Sequence, residues 1–230
     1  MSEKRTVLVA ICGIDTEVGK SVATGLMAAF FAGQGSRVIT QKPVQTGCAA
    51  RPGDILLHRR LMGSSWNKYD EAGLTCPYCF SFAGSPHLAA ELAGKWIDPE
   101  VIDRATEKLS TDHDLILVEG AGGLLVPLTV DLLQLDYFAG HSYPLVLVTS
   151  PRLGSINHTL LALEAIRARN INLLGLVYNL FGDHPLEIVR DSRRVMARAL
   201  KDYGFSCPIV LLPDCNESRS TNWQQLFISL

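Results

Sequence analysis

The stretch Val7–Ser21 constrains this chain more than any other. It reads as a short apolar strand, a polar turn from Gly13 to Val18, and then Gly19-Lys20-Ser21 opening a helix whose apolar face runs through Val22, Leu26 and Phe30. Such a turn gathers backbone N–H groups and the positive end of a helix into one concavity, where an anion binds. Lys20 adds a point charge for outer phosphates and Ser21 a hydroxyl for a divalent cation. Gly19 lets the backbone approach a phosphate where a Cβ would intrude. The spacing departs from the common G-x-x-x-x-G-K-[ST] loop, because position 14 is Ile14 and the glycine stands one residue earlier, at Gly13. The tripeptide alone is a weak signal, and an ordinary strand-to-helix turn with a surface lysine is the competing reading. The flanking strand and helix favour phosphate.

Composition bounds the alternatives. A chain of 230 residues that is 47% hydrophobic fits one domain over residues 1–230. With 21 basic against 23 acidic residues, the net charge of −2 gives no bias toward nucleic acid. The run Val7–Cys12 is too short for a signal peptide and leads straight into the turn, and no apolar stretch approaches a membrane span. A cytoplasmic location is expected. Cys12, Cys48, Cys76, Cys79, Cys207 and Cys215 have no disulfide-framework spacing, so reduced thiols are expected. The C-x-x-C of Cys76-Pro77-Tyr78-Cys79 invites zinc or redox chemistry. Cys207 and Cys215 do not form the second ligand pair zinc would want, and a thioredoxin-like motif would open a helix after the first strand. The pair reads as incidental.

Apolar runs recur at Arg37–Gln41, Asp114–Val118, Pro144–Val148, Leu173–Val177 and Pro208–Leu212. Helical patterns lie between them, near residues 55–61, 86–93, 99–109, 155–168 and 186–203. The alternation predicts an α/β fold with a doubly wound, mostly parallel sheet and helices on both faces, of P-loop NTPase type. Ligands of such sheets sit at the carboxyl ends of the strands. Lys42 leaves the second strand just before Pro43 and reads as a second phosphate-facing cation. Glu119 closes the third strand, as in Walker B, where a buried strand delivers a carboxylate to Mg²⁺. Gly120, Ala121 and Gly122 follow and let the backbone pass close to a ligand. Asp54, after Pro52-Gly53, is equally a helix cap or a metal ligand. Gly154-Ser155-Ile156-Asn157 opens a helix whose free N–H groups suit a carboxylate. Asn179 offers paired donor and acceptor to an adenine edge. His87, in Ser85-Pro86-His87, either holds a substrate loop or lies on the surface.

Taken together, these motifs resemble one family, dethiobiotin synthetase, the ATP-dependent cyclo-ligase of biotin synthesis. The resemblance rests on Gly13–Ser21 with its displaced glycine, Lys42-Pro43-Val44-Gln45-Thr46-Gly47, Ser85-Pro86-His87, Glu119–Gly123 with Val126-Pro127-Leu128, and Gly154–His158, all in order. Pro77-Tyr78-Cys79-Phe80 also resembles a family stretch that carries no metal. The match spans about residues 7–180; Ile14 and Ser21 stand where the family has threonine, and Thr46 where serine is common. The resemblance implies catalytic Lys20 and Lys42, and Mg²⁺ held by Ser21, Asp54 and Glu119. It implies ATP bound by Glu17, Val18, Gly19, Lys20, Ser21, Val22, Asp54, Glu119, Gly120, Ala121, Gly122, Asn179, Pro213, Asp214 and Cys215. It places 7,8-diaminononanoate near Thr16 and Thr46, CO₂ or bicarbonate as co-substrate, and the substrate carboxylate on Gly154, Ser155, Ile156 and Asn157 of a partner subunit in a homodimer. The competing class is a P-loop ATPase switch of the partitioning or cluster-scaffold type. Those carry a second lysine inside the loop, where this chain has Ile14-Asp15-Thr16-Glu17. A cobyrinate-type synthetase would need a glutaminase domain for which the chain has no room.

Overall fold

Strands that are apolar on both faces must be covered on both faces, which is the environment of a parallel sheet between helices. The computed structural model describes residues 6–48, 50–213 and 221–228. Its main sheet contains β1 (Val7–Gly13), β2 (Val38–Gln41), β5 (Leu115–Gly123), β6 (Leu145–Thr149), β7 (Leu173–Asn179) and β8 (Ile209–Leu212). They lie in the order β2-β5-β1-β6-β7-β8, and every pairing is parallel. The crossovers carry α1 (Lys20–Gly33), α5 (Pro99–Ser110), α6 (Gln134–Gly140), α7 (Ser155–Ala168) and α8 (Leu186–Asp202). Val9, Ala10 and Ile11 of β1, Ile116, Leu117 and Val118 of β5, and Leu145 to Val148 of β6 have no exposed surface. The core is therefore centred on β1, whose carboxyl end opens into the Gly13–Val18 turn.

All six strands read from the sequence are present. β5 runs beyond its apolar residues because Glu119 and Gly123 still pair with Ile11 and Gly13 of β1. Two two-residue strands and a four-residue helix escaped the sequence reading, while the helices near 55–61 and 86–93 are present. Between β2 and α5 the chain makes an excursion holding β3 (Val44–Gln45), α2 (Gly53–Leu61), α3 (Lys68–Glu71), β4 (Tyr78–Cys79) and α4 (Pro86–Leu92). Gly25 lets α1 and α2 touch, since a Cβ there would lie 2.7 Å from Leu61 Cδ1 and 3.2 Å from the His58 Cα. A buried ion pair secures α2 to α3, with Arg59 Nε donating to Asp70 Oδ2 at 2.9 Å and Nη2 to Oδ1 at 2.8 Å.

One expectation is overturned here. Cys48 and Cys79 form a disulfide, so the cysteines are not all reduced and Cys79 is not incidental. The cause is the two-stranded parallel sheet of β3 and β4, too short to leave a periodic signal in the sequence. It sets Gln45 opposite Cys79, and the Cys48 N–H bonds to the Phe80 carbonyl at 2.9 Å, so the two sulfurs meet. Cys76, the other half of the C-x-x-C, is a free buried thiol that burial pushes up to about 12. At the far end of the chain, Asp214 and Cys215 lie outside the described residues.

The disulfide closes a sequence separation of 31 residues. Its loss is expected to lower unfolding free energy by about 3–4 kcal/mol through the freed chain entropy of the unfolded state. Denaturant unfolding with and without a thiol reductant measures this, and Cys79→Ser should show the lower stability with no response to reductant.

Candidate active site

The turn after β1 is shaped to leave donors free. Glu17 has φ of 58° and Gly19 of 98°, and no side chain caps α1. The first N–H groups of α1 therefore point outward without intrahelical partners. Gly19 cannot be replaced, because a Cβ there would collide with the Asn179 amide as well as strain the backbone. Asn179 itself, at the end of β7, donates to the Val18 carbonyl at 3.0 Å and accepts from the Phe181 N–H at 3.1 Å. Each atom of its amide keeps a second bonding position, one donor and one acceptor.

Two strands, β2 and β5, and two helices, α1 and α2, then converge. Lys42, just past β2, is held by its own N–H to the Thr75 carbonyl at 2.7 Å. Its ammonium bonds Glu119 Oε1 at 2.8 Å, Asp54 Oδ2 at 2.8 Å and the Gly120 carbonyl at 2.9 Å. Ser21 Oγ donates to the same Glu119 Oε1 at 2.8 Å. These groups line a cavity of about 350 Å³ that also holds Thr16, Glu17, Gly19, Lys20, Val22, Thr46, Ala121 and Gly122. Thr16, Thr46 and the turn, metal and glycine-run residues assigned from the sequence, except Val18 and Gly120, thus line one cavity at the carboxyl edge of the sheet. Asp54 is not a helix cap, since α2 begins at Gly53 with Pro52 as its cap; its carboxylate faces Lys42 instead.

Burial and charge set the protonation states. Burial opposes the charge of both partners in the Lys42–Glu119 pair, but their mutual attraction wins. Lys42 is raised above the ordinary lysine range by Glu119 and Asp54, and Glu119 is held far below the carboxylate range by Lys42 and a His58 hydrogen bond. Lys20 has no carboxylate in contact among the described residues. Burial, with repulsion from Lys42, brings it down to about 8, and its ammonium rests on the Asp15 carbonyl at 2.7 Å.

The remaining assignments fall outside this cavity. The opening of α7 at Gly154 to Asn157 follows β6, with Gly154 at φ of 88° and the Ser155 hydroxyl buried without a hydrogen-bond partner among the described residues. A second cavity, of about 460 Å³, is lined by Thr16, Leu125, Val126, His158 and Leu161, and the two cavities share Thr16. Pro213 follows β8, which lies at the opposite edge of the main sheet from β2, the strand that Lys42 leaves. His87 lies at the start of α4, its Nδ1 buried without a partner among the described residues. The sequence reading missed His58. Its one available signal was position, one helical turn after Asp54 and so on the same face of α2.

With the geometry in place, comparison with known proteins gives a consistent picture. An AAA domain family matches residues 5–202. The chain is 51% identical, over 88% of its length and 85% of the relative's, to the ATP-dependent dethiobiotin synthetase BioD of Chlorobaculum tepidum. It is 46% identical to the ATP-dependent dethiobiotin synthetase BioD 2 of Haemophilus influenzae, over 80% of this chain and 96% of that one. The BioD 2 protein of Pasteurella multocida is 42% identical over 84% of this chain and 91% of its own.

The position of Lys20 gives a pH dependence with a definite sign. Below about 8 its charge is present and available to an anion; above that value the free protein must take up a proton to bind one. Affinity for inorganic tripolyphosphate, followed by calorimetry from pH 7 upward, is expected to fall by up to about tenfold per pH unit beyond that point. Lys20→Met should bind weakly at every pH and flatten the slope.

Proposed function

The chain belongs to the dethiobiotin synthetase family, and on that premise we propose that it joins CO₂ to 7,8-diaminononanoate at the expense of ATP, giving dethiobiotin, ADP and phosphate. The observation that carries the reading is the meeting of Lys20, Lys42, Asp54, Glu119 and Ser21 in one cavity below the phosphate turn. In the proposed reaction one amine of the substrate captures CO₂ as a carbamate. A carbamate oxygen attacks the γ-phosphorus and ADP leaves. The second amine then attacks the carbonyl of the mixed anhydride, expelling phosphate and closing the cyclic urea.

The chain's own groups suit these steps. The turn's N–H groups and Lys20 bind and orient the triphosphate. Lys42, kept protonated by its carboxylate neighbours, lies where charge builds on the carbamate and the transferring phosphoryl. Ser21, Asp54 and Glu119 offer a hydroxyl and two carboxylates, the hard oxygen donors that suit Mg²⁺; Ser21 bonds Glu119 Oε1, and the Lys42 ammonium lies 2.8 Å from both carboxylates, which keeps the three donors together. Bound there, Mg²⁺ would neutralise phosphate oxygens. Holding amine, carbamate and phosphorus in line supplies much of the acceleration.

The second cavity fits the rest of the substrate. It is mostly apolar, as the methylene chain requires, and it begins at Thr16. Leu125 and Leu161 on its wall are exposed, as is Leu153 beside the start of α7. A second copy of the chain covering this face, and presenting its own Gly154–Asn157 turn to the substrate carboxylate, is part of the proposal. So is a cytoplasmic location, in which the Cys48–Cys79 disulfide would face a reducing thiol pool; separately, among the described residues no helix is long and apolar enough to cross a membrane.

ADP release is expected only when diamine and bicarbonate are both present; diamine-independent hydrolysis would point to the ATPase-switch class instead. Lys42→Ala should lower turnover at least about 100-fold while nucleotide binding, measured by calorimetry, changes only a few-fold. Full activity of Lys42→Ala would remove it from the reacting centre. Leu161→Glu should shift the dimer toward monomer in light scattering and raise KM for the diamine.

A further inference from the structure

The His58 imidazole is completely buried, as is Glu119, and its Nε2 lies 2.8 Å from Glu119 Oε2. Its Nδ1 lies 3.0 Å from Thr40 Oγ1. Neither hydrogen is free to choose. Arg59 Nη1 reaches the same Thr40 oxygen at 3.0 Å, and a guanidinium only donates. Thr40 therefore accepts from Arg59, and the one acceptor the described residues give its own hydrogen is His58 Nδ1. That leaves the imidazole proton on Nε2, facing the carboxylate. Arg59 is fixed in turn by its two-pronged bond to Asp70, which also accepts from the Thr75 hydroxyl at 2.7 Å and the Asn67 N–H at 3.0 Å.

From this we infer that His58 is the positioning residue of the site, holding one Glu119 oxygen so that the other is aimed at Ser21 and the metal, and that the buried chain Asp70–Arg59–Thr40–His58 fixes the direction of that hydrogen bond. The inference rests on the metal assignment of the proposed function. The two oxygens of Glu119 have separate duties: Oε2 belongs to His58, while Oε1 takes both Ser21 and Lys42. Without the imidazole the carboxylate would keep its charge but lose its orientation. Partners behind a metal ligand typically matter 10–100-fold in affinity or rate.

The test compares His58→Leu, His58→Gln, Thr40→Val and Glu119→Gln in the full chain. Mn²⁺ binding in the presence of a non-hydrolysable ATP analogue is read by electron paramagnetic resonance, alongside kcat and KM. His58→Leu is expected to weaken Mn²⁺ about 10–100-fold and lower kcat in proportion, with KM for the diamine within about twofold. His58→Gln, which can return an N–H to the carboxylate, should recover most of the loss, which a packing role alone would not. Unchanged Mn²⁺ affinity in His58→Leu beside a lost site in Glu119→Gln overturns the inference and leaves the metal assignment standing. An unchanged site in Glu119→Gln overturns both. Should His58→Leu fail to fold, Thr40→Val decides: Mn²⁺ weakened at least about threefold supports the chain, and wild-type affinity refutes it.

Discussion

An ionised carboxylate at the centre of a sheet edge, with no exposed surface, is tolerable only if charge and hydrogen bonds surround it. Glu119 meets that condition through Lys42, Ser21 and His58. The surrounding architecture follows from keeping those three in place. Lys42 requires the exit of β2 to be fixed, which its N–H bond to Thr75 does. Ser21 requires α1 to begin at Lys20, which the left-handed Gly19 permits. His58 requires α2 to lie close against α1, which Gly25 allows. A single buried charge thus ties the phosphate turn, the second strand and the first excursion helix into one unit.

The pairing also explains why the two lysines differ. Both are buried, and burial alone lowers an ammonium. Lys42 has two carboxylates in contact and is raised, whereas Lys20 contacts a backbone carbonyl and is lowered to about 8. A cavity lined this way holds one cation paired with its own carboxylates and a second with no carboxylate in direct contact among the described residues.

What could be read from the sequence follows this division. The strands of the main sheet were legible because all but β2, with only Val38 and Ile39, are apolar over four or more residues, and their polar terminators, Lys42, Glu119 and Asn179, stood out against that background. Asp54 was ambiguous because a helix start and a metal ligand ask for the same residue type; Lys42 at 2.8 Å resolves it against the cap. The Cys48–Cys79 disulfide and His58 were not legible. Both depend on the path of the excursion, where two-residue strands and a four-residue helix leave no periodicity. A histidine followed by Arg59 and Arg60 looks like solvent-facing surface until α1 is packed against it.

The excursion between β2 and α5 is accordingly where this protein departs from a generic phosphate-binding sheet. The turn, Lys20 and Glu119 belong to the main sheet and would serve many reactions. Thr46, Asp54 and His58 belong to the excursion, which is anchored at three points: the β3–β4 pair with its disulfide, the Arg59–Asp70 bond, and the contact of α2 with α1. Each anchor opposes a different motion. The disulfide stops the loop after Thr46 from lifting, the ion pair stops α2 from sliding against α3, and the helix contact sets the depth of Asp54 and His58 relative to Ser21. A sequence that kept the turn but lost these anchors would retain Lys20 and Glu119 and lose the wall that sets Thr46, Asp54 and His58 against them.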